Sequence, residues 1–201
     1  MENTLSLSPA LGFTTQESFE YQLLASLGEE VFKKVMAEKE IFSFCYKVNA
    51  AKKTLPHITV ANFLAKEAME ETLIKWRNKI ISNQYAFDVM LNNFSGFPTS
   101  HTVYARVQNH EPFKQLAASL KTIDEYVRSN GFPRATLINH PHVTIAKRLQ
   151  SAIYEKALKD YSKKTFNASF PVNELVLLKR LNQYEKCKQV AVFKLAASYN
   201  A

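Results

Sequence analysis

"PHITVANFL", residues 56–64, returns 85 positions later as "PHVTIAKRL", residues 141–149. Five of the nine letters are identical, and the positions either side of each Thr exchange only Ile and Val. β-Branched residues alternating with polar ones make each copy a strand. On a strand, residues i and i+2 point the same way, so His57 shares a face with Thr59, and His142 with Thr144. Ile58, Val60, Val143 and Ile145 then point into a core. Period 2, continued past the motifs, carries Phe63 and Arg148 onto the polar face. Phe63 there can stack on a base and Arg148 can reach a phosphate. In "TVYARVQ" (102–108), Tyr104 and Arg106 alternate away from Val103, Ala105 and Val107 and face the same cleft.

Around the motifs the elements recur in one order. "YQLLASL" (21–27) reads as a strand and "GEEVFKKVMAEKEIF" as a helix with acidic residues in its first turn. The first motif follows. Residues 66–81 form a helix whose stripe is Met69, Leu73, Trp76 and Ile80, with Trp76 in the core. Strands come at 85–91, where Tyr85, Phe87, Val89 and Leu91 share a face, and at 102–108. A helix opened by Pro112 carries the stripe Phe113, Leu116, Leu120, Ile123 and Val127. The second motif strand spans about 137–146, then a helix at 151–162 and strands near "FNASF", 174–181 and 189–196.

This order predicts a single α+β domain over 1–201, with an N-terminal arm at 1–18 and lobes of about 19–110 and 111–201 that can exchange strands. Two mixed or antiparallel sheets, related by a pseudo-twofold axis, flank a central cleft and carry helices on their outer faces.

The charge is uneven. Residues 1–111 carry 11 Lys+Arg against 12 Asp+Glu, and residues 112–201 carry 15 against 6. A basic half fits an anionic partner such as RNA or a nucleotide, or a lysine-decorated surface. Two cysteines make no disulfide framework, which fits a reducing cytoplasm. No apolar run spans a membrane, and "MENTLSLSPALGF" lacks the basic start of a signal peptide.

Two histidines on facing walls suit acid–base chemistry at one phosphorus, one on each side of an in-line attack. Two threonine hydroxyls can hold the non-bridging oxygens. The scheme requires no metal and no cofactor. A lone His-x-Thr is common in β-rich chains, whereas two copies in matching Pro-His-β-Thr-β-Ala contexts are not.

The tandem "HITV" and "HVTI" motifs resemble those of the 2H phosphoesterase superfamily, in particular its 2′-5′ RNA ligase-like branch. The resemblance covers roughly residues 20–196. It implies a bilobal fold and metal-independent action on 2′,3′-cyclic phosphates or 2′-5′ phosphodiester links of RNA or nucleotides. His57 and His142 would be the catalytic pair, with Thr59 and Thr144 as phosphate ligands. Lys147, five residues after the second His, matches a common basic position and would bind phosphate with Arg148. Phe63, Tyr104 and Arg106 would contact the substrate or its base. One departure is Asn62, which stands where family members often have an aromatic. The chain is expected to act as a monomer, in the cytoplasm. The competing reading is a non-catalytic RNA- or nucleotide-binding module of the same fold.

Overall fold

The computed structural model, which describes residues 18–182 and 184–197, places the two motif strands side by side at the centre of an antiparallel sheet. The arm expected at 1–18 lies, apart from Ser18, outside the described residues. The strands are β1 (Ser18–Ser26), β2 (His57–Lys66), β3 (Phe87–Phe97), β4 (Thr102–Val107), β5 (Thr136–Leu137), β6 (His142–Ala146), β7 (Asn167–Val172), β8 (Glu174–Arg180) and β9 (Lys188–Lys194). The helices are α1 (Glu29–Tyr46), α2 (Glu70–Ile81), α3 (Glu111–Ser119), α4 (Lys121–Ser129) and α5 (Ser151–Tyr161).

The strand order is β7-β3-β4-β6-β2-β1-β8-β9, with β5 also paired to β2. This is the expected α+β architecture, with the two expected sheets continuous as halves of one. They join through the pair Ile58–Val143. Ile58 and Val143 are the same position of the two motifs, so the pseudo-twofold axis passes between them. Continuing that register by one residue sets His57 opposite Thr144, and Thr59 opposite His142.

Each half-sheet draws on distant parts of the chain. The half with β2 takes β1 from before it and the hairpin β8–β9 from much later; the half with β6 takes the hairpin β3–β4. The helices cross over too: α1 packs behind β6 and β7, and α3 and α4 behind β2, while α2 stays in its own half behind β9. One face of the sheet is thereby covered, and its side chains form one core with Phe42, Phe113, Val127 and Tyr161. The stripe Phe113, Leu116, Leu120, Ile123 and Val127 is buried throughout, although the helix breaks at Leu120 into α3 and α4. No helix among the described residues is long and apolar enough to cross a membrane.

The stripe on α2 differs from expectation. Met69 and Leu73 are buried, but the next inward positions are Arg77 and Ile81, while Trp76 is 43% exposed and rests against Tyr126 of α4. The guanidinium of Arg77 lies 4.1 Å from the centre of the Phe63 ring. That contact lets a long cationic side chain occupy a core position. Tyr85 precedes β3 and is exposed.

Ile58 is fully buried at the join between the half-sheets. Ile58→Ala is expected to cost about 2–5 kcal/mol through lost burial and the cavity left behind. A lowered urea midpoint at unchanged slope checks this.

Candidate active site

Each motif begins Pro-His, and the proline fixes the histidine. The residue before a proline is extended, and proline itself offers no N–H. The carbonyls of Leu55 and His140 each accept from the Nδ1 of the histidine two residues on, at 2.9 Å for His57 and 2.8 Å for His142. A carbonyl only accepts, so Nδ1 carries the proton and Nε2 of the neutral ring is the acceptor. Both imidazoles are held in the same tautomer by the same local device.

Directly after each His-h-Thr, where h is apolar, the strand takes in an extra residue. Thr59 pairs with Leu24 and Ala61 with Leu23, leaving Val60 as the extra residue on β2. Thr144 pairs with Tyr104 and Ala146 with Val103, leaving Ile145 as the extra residue on β6. Two successive side chains are buried at each bulge, Val60–Ala61 and Ile145–Ala146. A bulge reverses the alternation beyond it.

Phe63, expected on the polar face, is for this reason turned into the core. It is 5% exposed, stacked on Tyr21 at 5.1 Å and covered by Arg77. Asn62 and Leu64 take the groove face in its place. Arg148 is displaced from its expected position for a different reason. β6 ends at Ala146, and Arg148 sits exposed in a left-handed turn with φ 55°.

The two histidines have unlike surroundings. Beside His57, Gln22 Nε2 donates to Thr59 Oγ1 at 3.1 Å and lies 3.5 Å from His57 Nε2. Burial holds the His57 imidazole below its ordinary value. The charges of Lys147, Lys39 and His142 push it the same way, against the Leu55 hydrogen bond. His142 sits among aromatics, with Phe97 edge-on at 4.9 Å and Tyr104 at 5.2 Å. Burial lowers it as well, and its bond to the His140 carbonyl opposes the shift. Tyr104 does lie at the cleft, but buried: it stacks on Phe97 at 4.3 Å, and its hydroxyl is 3.2 Å from His140 Nε2. Arg106 pairs in register with His142, is exposed, and donates from Nε to the Asn92 carbonyl at 3.2 Å.

Beyond Gln22 the groove deepens into a cavity of about 460 Å³. Asn62, Leu64, Leu178 and Arg180 line it from the sheet, with Lys147 and Arg134 at its sides. Arg180 pairs with Glu20, and Arg134 with Asp124 at 3.4 Å. Lys147 is depressed by burial and by the charges of Arg148 and Arg180. It belongs to the cavity wall and also acts electrostatically on His57.

The sequence reading missed Gln22 and Lys39. Both left a signal: Gln22 is the polar interruption in "YQLLAS", and Lys39 continues the inward spacing of Val31 and Val35 on α1.

None of the curated proteins matches this chain in sequence. Among solved structures, E. coli LigT complexed with 3′-AMP is similar, with a TM-score of 0.65 and 16% identity over 89% of this chain and 99% of that one. TT0787 of Thermus thermophilus gives 0.61 and 15% identity, over 90% and 100%. Usb1 of Kluyveromyces marxianus gives 0.50 and 15% identity, over 90% and 99%. At such identities these likenesses show the fold. The 2′-5′ RNA ligase superfamily matches residues 42–183, most of the chain and both motifs. The chain therefore belongs to the 2′-5′ RNA ligase superfamily, within the 2H phosphoesterases.

Proposed function

We propose that this protein opens 2′,3′-cyclic phosphate ends of RNA or of nucleotides, with His57 and His142 as the proton-transfer pair and Thr59 and Thr144 as phosphate ligands. One observation carries the reading. Two histidines of the same tautomer flank a single residue pair, each at the register position opposite the other motif's threonine. A phosphate on that face meets an imidazole from each wall.

In ring opening, one Nε2 takes a proton from water as its oxygen attacks phosphorus. The P–O3′ bond breaks, and the other imidazolium delivers a proton to O3′. The products are a 2′-phosphate and a free 3′-hydroxyl. In the ligation direction, the 5′-hydroxyl of a second strand takes the place of water. Lys147, at the cavity wall, offsets charge on the phosphate oxygens. The cavity beyond Gln22 accepts the nucleoside attached to the phosphate. Asn62, at a position where members of the resembled family often have an aromatic, offers that nucleoside hydrogen bonds.

The test is a panel of nucleoside and oligonucleotide 2′,3′-cyclic phosphates with a chelator present and the product's phosphate position determined. A 2′-phosphate product supports the reading. Salt-dependent RNA binding with no ring opening on any substrate would point instead to a binding module.

The pH dependence follows from the two lowered imidazoles. The base must be neutral and the acid protonated, so kcat/KM peaks between the two free-protein values. Both lie below 6.5, so the kcat/KM optimum is expected on the acid side of pH 6.5. A bound phosphate anion favours imidazolium, so the kcat optimum is expected at higher pH than that of kcat/KM. A kcat/KM still rising through pH 7 would contradict this.

A further inference from the structure

Lys39 of α1 is 1% exposed. Its Nζ donates to Thr54 Oγ1 at 3.1 Å, to the Thr144 carbonyl at 3.1 Å and to the Ile145 carbonyl at 3.2 Å. An ammonium has three protons, so all are used. Successive carbonyls of a regular strand point to opposite edges. These two converge on one nitrogen where the extra residue Ile145 interrupts β6. Continued past Ile58–Val143, the register brings this part of β6 toward residues 55–57, where Pro56 has no N–H to offer. The bulge on the other wall is closed differently: the Val60 carbonyl accepts from the Ile138 N–H at 2.9 Å, and Ala61 pairs with Leu137 of β5.

We propose that Lys39 is a positioning residue for the acid–base pair, one buried cation that ties the Thr144 bulge on one wall to the Thr54–His57 segment on the other. The proposal rests on the reading of His57 and His142 as the proton-transfer pair. Its charge also acts unequally on the two histidines. Lys39 pushes His57 further toward the neutral form, while His142 is lowered only by burial and by His140. Burial lowers Lys39 itself to about 8, and the charge of Lys147 adds to this. The charged and titratable groups acting around it are Lys147, just past β6, and His57 on β2. Its hydrogen-bond acceptors are one hydroxyl and two carbonyls, all neutral.

Two variants test this. Lys39→Met keeps an unbranched side chain and removes the donors and the charge. It is expected to lower kcat about tenfold or more, because small misplacements at a reacting centre are costly, while KM stays within about threefold. By NMR titration of the ring protons, the His57 pKa is expected to rise, and that of His142 to move less. Thr54→Val removes one acceptor and leaves the cation in place. It is expected to lower kcat about threefold, because the ammonium no longer ties the Thr144 bulge to the Thr54–His57 segment. A folded Lys39→Met protein with unchanged kcat and an unmoved His57 titration overturns the proposal. If Lys39→Met does not fold, Thr54→Val with the parent's kcat overturns it. The His57 titration needs no substrate, so it still reports on Lys39 if the parent protein opens no cyclic phosphate.

Discussion

Replacing either motif histidine by alanine is expected to lower kcat for ring opening by about 10²–10⁴-fold, the usual worth of a positioned acid or base. KM should change little, because the threonines and Lys147 remain. Both side chains lie half-buried on the groove face, and each ring's bond is to a carbonyl in its own local turn. Losing either ring leaves the buried Ile58–Val143 join intact, so the thermal melt should move little. The double variant is expected to be scarcely slower than the worse single one, since acid and base act on one transition state. Full activity in the double variant would remove both histidines from the chemistry.

Thr59→Val and Thr144→Val keep the shape of the side chain and remove the hydroxyl. Each is expected to lower kcat/KM by about 10–100-fold, the equivalent of one hydrogen bond to a charged oxygen at about 1.5–3 kcal/mol. Thr59 also accepts from Gln22, which reaches toward His57 Nε2. Thr59→Val therefore releases the Gln22 amide as well. Gln22→Leu separates the two effects: a loss much smaller than that of Thr59→Val assigns the main role to the hydroxyl. Equal losses in Gln22→Leu and Thr59→Val would shift the role to the amide.

Much of this arrangement is legible in the sequence, because its determinants are local. Strand alternation places His57 with Thr59 and His142 with Thr144; the shared tautomer shows only in the structure, from the carbonyl that each Nδ1 meets. Phe63 shows where locality stops. "HITVANF" alternates acceptably with or without a bulge, and only pairing with β1 reveals that Val60 is the extra residue. The repeated alanines, Ala61 and Ala146, are the trace that the bulge leaves. Arg77 and Trp76 exchange places on α2 because the Phe63 ring, turned inward, offers a guanidinium a seat that hydrophobic periodicity does not register. The crossing of α1 behind β6 is likewise a matter of topology. It is why a lysine from an early helix reaches the second motif.

The most direct test follows the ring protons of His57 and His142 by NMR through a pH titration, with and without a nucleoside 2′-monophosphate. If the two motifs are walls of one phosphate site, a single equivalent of ligand raises both pKa values together from below 6.5, and Thr59→Val and Thr144→Val each weaken that response at both rings. A ligand that moves one histidine and leaves the other unchanged would contradict the shared site.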